Sequence, residues 1–185
     1  MRYAQLLREW NRRINLISRR DTARILDYHV LDSLAALSLI PQGANVVDVG
    51  SGAGLPGIPL ALARPDAKVV LIESSKKKSL FLTAALSGIP VANAKLLSER
   101  AESLPALAGD VVVCRLTGSL SEVLKNAAHH RRPGGTLVLY KTRGSDAELA
   151  KSRRLLARCG LRVTSQKDIL LPLSDIPRRL VVLGS

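Results

Sequence analysis

The chain has 185 residues, with 28 Lys and Arg against 15 Asp and Glu, and its formal net charge is +13. A hydrophobic content of 46% excludes a disordered chain, and since aromatic residues make up only 3%, the core must be aliphatic. The charge favours a polyanionic partner, RNA or DNA first, and no apolar run is long enough for a membrane helix.

The two cysteines predict neither a disulfide framework nor a metal site. Cys114 and Cys159 stand outside any CxxC pattern, and we expect both to be small buried hydrophobes. Charged residues, among them Arg8 and Glu9, interrupt any signal-peptide core near the N-terminus. We therefore expect a monomeric cytoplasmic protein that binds no metal and no membrane.

The first forty residues are predicted to form a helical cap. Apolar spacing indicates one helix over residues 4–17 and a second over residues 21–39, with Asp21 as its N-cap. Pro41-Gln42-Gly43 then marks a boundary.

After that boundary, strand and helix patterns alternate, which is typical of a parallel sheet with helices on both faces. The last two strands have no helix between them, so we predict an antiparallel hairpin at the sheet edge. Together these patterns predict one α/β domain over residues 1–185, with the cap at 1–40 and a core with a mostly parallel seven-stranded sheet at 44–185. The predicted strands are 45–49, 68–73, 94–98, 110–115, 136–140, 162–168 and 179–183, and the predicted core helices are 57–64, 76–87, 119–130 and 146–159.

A glycine-rich turn follows the first predicted strand. The segment from Asp48 to Gly57 contains Gly50, Gly52 and Gly54, and glycine suits a turn that brings bare backbone against a ligand. The next strand ends in Glu73, about 20 residues after the turn, where a carboxylate can accept both hydroxyl protons of a ribose. This spacing predicts a nucleoside site.

The same residues satisfy two cofactor patterns. Residues 52–57 match the G-x-G-x-x-G fingerprint of NAD(P)-binding domains. S-adenosylmethionine is favoured because Asp48 can face a ligand ammonium but would repel a pyrophosphate. The late position of the loop and the lack of a Tyr-x-x-x-Lys pair point the same way. NAD(P) and a ligand-free turn remain the alternatives.

The sequence lacks the motifs of two classes of nucleic-acid methyltransferase, which limits the candidate methyl acceptors. The sequence has no Asn/Asp-Pro-Pro-aromatic tetrapeptide for exocyclic amines, and neither cysteine follows proline as the nucleophile of a pyrimidine C5 enzyme would. Guanine N7 offers a free lone pair and needs no general base. We accordingly predict no catalytic acid or base.

The chain resembles a known family, the bacterial 16S rRNA guanine-N7 methyltransferases, also called glucose-inhibited division protein B. The resemblance runs from about Trp10 to the last strand, and the Leu-Pro-Gly-Ile-Pro extension of the loop is its most specific part. It implies a Rossmann-like enzyme that methylates one guanine of 16S rRNA, by convention position 527, with S-adenosylmethionine. The matching segments are Trp10-Asn11, Asn15–Ser18, His29–Ser33, Asp48–Leu60, Arg64-Pro65, Ser98–Glu102, Arg115 and Leu139–Lys141.

The resemblance also implies cofactor contacts at Gly50, Leu55, Ala101, Glu102 and Arg115. Ala101 and Glu102 would flank the adenine, although Glu102 also suits a helix start. Arg115 would bind the methionyl carboxylate or an RNA phosphate, or form a surface ion pair.

Basic residues near strand ends and helix starts are predicted to contact the substrate, 16S rRNA or the 30S subunit. We assign this role to Lys141, Arg178 and Arg179, and expect the lysines at 76–78 to bind phosphate. For base stacking the candidates are Trp10, Tyr28 and Tyr140.

Two histidine sites and two departures complete the prediction. His29 is expected to pack or cap, and His129-His130 to interact favourably with a helix C-terminus. Leu116 replaces a small residue of the family near the acceptor, and the chain begins later than its relatives, which we expect to loosen the cap. A methyltransferase of a small molecule or protein, and a non-catalytic RNA-binding relative, remain alternative functions.

Overall fold

The computed structural model describes residues 2–115, 118–173 and 176–185, and its strands form one sheet. The strand order is β3-β2-β1-β4-β5-β7-β6. The strands are β1 Asn45–Val49, β2 Lys68–Ile72, β3 Ala94–Leu97, β4 Gly109–Cys114, β5 Arg131–Lys141, β6 Arg162–Leu170 and β7 Pro177–Gly184. The α-helices are α1 Arg2–Asn11, α2 Leu31–Leu34, α3 Gly57–Ala63, α4 Lys76–Gly88, α5 Leu120–Ala127, α6 Asp146–Lys151 and α7 Arg153–Arg158.

The pairing of the strands confirms the predicted mostly parallel seven-stranded sheet. β1 lies between β2 and β4 and is parallel to both, while β7 is antiparallel to its neighbours β5 and β6. The predicted C-terminal hairpin is therefore present, with β7 inserted beside β5. Because β1, β2, β3, β4 and β5 are parallel, their carboxyl ends meet at one edge of the sheet, where ligands of such folds bind.

Apolar residues cover both faces of the sheet. One cluster includes Val46, Leu71 and Phe81 and packs α1, α3 and α4 against the sheet. The opposite cluster includes Val112 and Leu124 and packs α5, α6 and α7. This arrangement confirms the expected aliphatic core with helices on both faces.

The cap differs from the predicted pair of long helices. α1 ends at Asn11, since the Asn11 side chain then accepts hydrogen bonds from the backbone amides of Leu16 and Ile17. The predicted helix over 21–39 is wrong as a single element, because buried polar groups such as His29 and Asp32 set the local geometry instead of the apolar period alone. The segment consists of a 3₁₀-helix Arg19–Arg24, a π-helix Ile25–Val30, α2 and a 3₁₀-helix Leu37–Leu39.

Three further expectations concern the two cysteines, the helix over 146–159, and membrane or metal binding. Cys114 is buried, but Cys159 is exposed at the end of α7, so the prediction that both are buried is wrong for Cys159. The helix predicted over 146–159 breaks at Ser152 into α6 and α7. Over the residues described, no helix has the length and apolar character to cross a membrane, and no cluster of His, Cys, Asp or Glu could hold a metal ion.

Candidate cofactor and acceptor site

The glycine-rich turn joins β1 to α3 at the carboxyl edge of the sheet. Gly50, Gly52 and Gly54 all have positive φ, at 72°, 57° and 82°. A Cβ on Gly52 would meet only the Gly50 carbonyl oxygen, at 3.9 Å, so this part of the turn faces open space. Gly54 instead packs against the Ile58 side chain, and Leu55 is buried in the core. Only the first part of the turn therefore presents backbone to a ligand.

Asp48 holds the far end of the turn. Its Oδ2 accepts a hydrogen bond from the Gly57 backbone amide at 2.9 Å, and a Cβ on Gly57 would lie 2.7 Å from that oxygen and 2.2 Å from Leu71 Cδ2. Burial raises the pKa of Asp48 to about 7, against the lowering effect of the Gly57 amide. The Asp48 Oδ1 atom has no hydrogen-bond partner among the described residues. Asp48 thus stabilises the turn through Oδ2, while its Oδ1 atom is available to a further hydrogen-bond donor.

Glu73, directly after β2, closes on the same turn. Its Oε2 accepts from the Gly52 amide at 2.9 Å and its Oε1 accepts from the Ser75 amide at 2.7 Å. The residue is 6% exposed, so its position is fixed by both contacts. Each carboxylate oxygen keeps a second lone pair, which is what a ribose diol requires.

A cavity of about 310 Å³, here called the glycine-loop cavity, brings four of the predicted cofactor residues together: Gly50, Glu73, Ala101 and Glu102. The pKa of Glu102 is lowered by its own backbone amide and by Arg100. Lys78, the last of the three predicted phosphate-binding lysines, also lines this cavity, whereas the other two are exposed on α4. The remaining lining residues, which sequence reasoning did not select, are Val49, Ile72, Ser74, Glu99, Arg100 and Asn126.

A buried histidine, His130, supports the Ala101 end of this cavity. The His130 Nε2 atom lies 3.1 Å from the Ala101 carbonyl oxygen, and His129 Nε2 lies 3.3 Å from the Leu104 carbonyl oxygen. Burial, followed by the charge of His129, lowers the pKa of His130. The predicted interaction of His129 and His130 with a helix C-terminus stays a prediction, and the carbonyl oxygens of Ala101 and Leu104 are the observed partners of the two rings.

A second cavity of about 480 Å³, here called the arginine cavity, lies at the ends of β4 and β5. It contains Arg115, which the resemblance had placed with the cofactor, and the predicted substrate residues Lys141 and Arg178. The position of Leu116, which follows Arg115, lies outside the described residues. The other lining residues are Tyr28, Asp32, Gly118, Tyr140, Thr142, Gly144, Ser145 and Glu148.

Asp32 links the two arginines of this cavity. Its Oδ2 lies 3.0 Å from Arg115 Nε and its Oδ1 lies 3.0 Å from Arg178 Nε, while Asp32 itself is 1% exposed. The Arg178 guanidinium also stacks 4.9 Å from the centre of the Tyr28 ring. In the sequence Asp32 stands out only as part of the matching segment 29–33, where an acid follows the apolar residues Val30 and Leu31.

His29 completes the support of Arg115. Its Nδ1 atom accepts from Arg115 Nη2 at 2.9 Å. Burial lowers the pKa of His29 to about 4, and the positive charges of Arg115 and Arg178 act in the same direction. The neutral ring is therefore an acceptor, which gives the predicted packing role of His29 a specific partner.

The remaining predicted substrate cations are both ion-paired. Lys141 Nζ lies 2.9 Å from Glu148 Oε2 within the arginine cavity. Arg179 lies outside the lining of both cavities, where its guanidinium pairs with Asp168 and Asp146. Its role in substrate binding stays a prediction.

Of the three predicted stacking residues, only Tyr28 is partly exposed at a cavity. Trp10 packs edge-on against Phe81, with ring centroids 5.8 Å apart. Tyr140 lines the arginine cavity, but its ring is buried and its hydroxyl donates to the Ser33 carbonyl oxygen at 2.7 Å. Trp10 and Tyr140 therefore mainly stabilise the packing of the cap against the core.

The fold and the two cavities define a Rossmann-like methyltransferase. Among solved structures, it is similar to a SAM dependent methyltransferase from Aquifex aeolicus, with a TM-score of 0.63, 18% identity and coverage of 89% of this chain and 94% of that chain. It is also similar to M. jannaschii TYW2 in complex with AdoMet, with a TM-score of 0.66, 13% identity and coverage of 93% and 77%. These identities are low, so the likeness concerns the fold.

The chain belongs to the rRNA small subunit methyltransferase G family, GidB, whose profile matches residues 1–173. It is 37% identical over 183 residues to ribosomal RNA small subunit methyltransferase G of Laribacter hongkongensis, covering 98% of this chain and 86% of that protein. It is 39% identical over 182 residues to the enzyme of the same name from Acidiphilium cryptum, covering 95% and 83%. The predicted family and the expectation of a methyltransferase that uses S-adenosylmethionine are thereby confirmed, and the NAD(P) alternative is not retained.

Proposed function

We propose that the protein transfers a methyl group from S-adenosylmethionine to N7 of a guanine in 16S rRNA, at position 527 if it follows the family. The observation that carries this proposal is the placement of two cavities side by side along the carboxyl edge of the sheet. One cavity has the chemistry of a nucleoside site, and the other is lined by three cationic side chains, Arg115, Lys141 and Arg178, against two carboxylates, Asp32 and Glu148.

The strand order supports one orientation of the cofactor along the carboxyl edge of the sheet. Ala101 and Glu102 follow β3, Glu73 follows β2, and Gly50 follows β1, so adenine, ribose and methionine portions would lie in that order. The next strand is β4, and Arg115 directly follows it. A cofactor with its ribose on Glu73 would thus direct its methionine portion toward the arginine cavity.

The arginine cavity suits a base that is already nucleophilic. Its size of about 480 Å³ falls within the range of small-ligand sites. Its carboxylates are engaged, Asp32 by two arginines and Glu148 by Lys141 and by the Leu120 amide. Neither carboxylate of the cavity is therefore free to act as a general base. Guanine N7 loses no proton when it attacks the methyl group, so it needs only proximity and alignment.

We propose that the enzyme acts as a monomer of one domain in the cytoplasm, on rRNA within an assembling or complete 30S subunit. Whether naked 16S rRNA is also methylated is an outcome of the experiment below.

The test is to incubate unmethylated 30S subunits, and separately naked 16S rRNA, with the protein and labelled S-adenosylmethionine, and to map the label. Label at guanine N7 is expected. Its absence with both substrates would refute the proposal, and label on a co-purifying protein or small molecule would replace it with another acceptor.

The cofactor half of the proposal has its own variant. Glu73→Gln should weaken S-adenosylhomocysteine binding by roughly 10- to 100-fold, because a charge-assisted hydrogen bond contributes about 1.5–3 kcal/mol. The matched control is Glu9→Gln at an exposed position of α1, which should leave the affinity unchanged in calorimetry.

A further inference from the structure

The loop that connects α1 to the 3₁₀-helix at residues 19–24 is ordered by the buried side-chain amide of Asn11. Asn11 is 7% exposed, and its Oδ1 accepts from the backbone amides of Leu16 at 2.9 Å and Ile17 at 3.0 Å. Its Nδ2 donates to Thr22 Oγ1 at 3.2 Å. The part of this loop at residues 14–18 is here called the Asn11 loop. The three hydrogen bonds fix both of its ends relative to each other.

Arginine pairs flank the Asn11 loop on both sides. Arg12 and Arg13 precede it and Arg19 and Arg20 follow it, and all four are exposed. Within the residues described, none of the four takes part in an ion pair, unlike Arg178 and Arg179 on β7. Between them, residues 15–19 line a concave surface of about 440 Å³. An ordered, concave and uncompensated cationic surface is suited to a polyanion.

The 3₁₀-helix Arg19–Arg24, which follows the Asn11 loop, lies beside the residues that support the arginine cavity. Asp21 Oδ2 lies 3.8 Å from His29 Nε2, and His29 holds Arg115. The Arg24 guanidinium lies 5.1 Å from the centre of the Tyr28 ring, and Tyr28 lines the cavity. A polyanion on the loop would therefore lie beside the segment that forms one wall of the acceptor site.

We propose that the Asn11 loop with its four flanking arginines is a docking surface for the sugar-phosphate backbone of the rRNA around the target guanine. The inference rests on the proposed function, because it takes the arginine cavity as the acceptor site. Its phosphate contacts carry no sequence information and would set the register in which the target base reaches the cavity.

Two double variants, Arg12→Gln/Arg13→Gln and Arg19→Gln/Arg20→Gln, test this role. The matched control is Arg153→Gln/Arg154→Gln on α7, which removes the same charge from another exposed position without a recorded ion pair. Binding to a 16S rRNA fragment containing the target is measured across a salt series without turnover. Each loop variant should lower the slope of log K against log salt by about 1.4–1.8, since each lost phosphate contact accounts for about 0.7–0.9.

At moderate salt the loop variants should bind the fragment roughly tenfold more weakly, and the control less than twofold. Equal weakening by the control would overturn the proposal in favour of diffuse charge attraction, and unchanged binding by both loop variants would overturn it outright. S-adenosylhomocysteine affinity should be the same for all three. Because RNA binding is read without methyl transfer, a wild-type protein that docks but does not methylate would count against the proposed function alone.

A second variant separates loop order from charge. Asn11→Ala keeps every arginine but removes the three hydrogen bonds that order the loop. It should also weaken RNA binding several-fold, with the folded state checked by thermal unfolding. Wild-type RNA affinity in a folded Asn11→Ala protein would overturn the ordered docking surface.

Discussion

The Asp32 bridge gives the most demanding prediction for this structure. Asp32→Asn keeps the shape of the side chain and one acceptor oxygen, but removes the negative charge that lies between Arg115 and Arg178. Removal of one partner from a buried ion pair costs about 3–5 kcal/mol. The side chains of Arg115 and Arg178 keep 17% and 13% exposure, so water offsets part of that cost. We expect a loss of roughly 2–3 kcal/mol in the free energy of unfolding.

The control for this variant is Asp146→Asn. Asp146 also pairs with an arginine, Arg179, but its side chain is 64% exposed, and such surface pairs contribute about 0–1 kcal/mol. Urea unfolding of the two variants measures the contrast. Equal destabilisation by both would refute the argument that burial of Asp32 sets its energetic weight.

The same variant separates positioning from stability. With Asp32 neutral, Arg115 and Arg178 lose their common anchor, and small misplacement of a positioning group can cost about 10²-fold in rate. We expect kcat for methyl transfer to fall by one to two orders of magnitude at a temperature where the variant is folded. The affinity for S-adenosylhomocysteine should fall much less than kcat, since Glu73 and the turn, which would hold the nucleoside, are untouched and only the Arg115 contact to the methionine portion would be affected. Wild-type kcat in a folded Asp32→Asn protein would contradict this role.

Two further predictions concern the turn and the pH dependence of stability. Gly57→Ala should destabilise the protein by about 1–3 kcal/mol in denaturant unfolding, because the new Cβ would lie 2.2 Å from Leu71 Cδ2; wild-type stability would show that the turn can shift at no cost. The pKa of His29 is about 4 in the folded state against 6.5 as its ordinary value, so the unfolded chain binds the proton first. The contribution of His29 is therefore complete above pH 6.5 and is lost as the pH falls toward 4, and His29→Gln should flatten the wild-type fall in unfolding free energy over that window.

The grouping of the candidate cofactor residues Gly50, Glu73, Ala101 and Glu102 at one cavity could be predicted from the sequence because their signals are local. The turn from Asp48 to Gly57 and the acid at Glu73 lie on consecutive elements of a repeating strand–helix pattern, and the sheet geometry brings them together. The acceptor half depends on contacts over a much longer sequence separation. Asp32 and Arg178 are 146 residues apart, and no local pattern couples them.

The sequence also could not predict which of two adjacent arginines, Arg178 or Arg179, lies in the arginine cavity. Arg178 and Arg179 form one basic pair in the sequence, but successive side chains of a strand point to opposite faces. In β7 this alternation gives Arg178 to Asp32 and Tyr28 and gives Arg179 to Asp146 and Asp168. Without the register of β7 against β5 and β6, either arginine was an equal candidate for the substrate.

The cap shows a different limit. Its apolar spacing was read as one α-helix over residues 21–39, yet the segment changes from 3₁₀ to π to α within sixteen residues. The π-helix carries Tyr28 and His29, and π-helical turns occur often at functional sites. Here the polar contacts with Arg115 and Arg178 decide the backbone geometry, and these partners belong to distant parts of the chain.

The division between core and cap has a consequence for how the enzyme works. Glu73 is held by Gly52 and Ser75, which belong to the core, and the cap supports the same turn because the Tyr3 hydroxyl donates to the Ala53 carbonyl oxygen at 2.7 Å. The arginines of the acceptor half also come from the core, but Asp32, His29 and Tyr28 that orient them come from the cap. Because the cap also carries the Asn11 loop, RNA docked there as proposed would act on the same segment that fixes Arg115 and Arg178. On that proposal, substrate docking is coupled through the cap to the alignment of the arginine cavity.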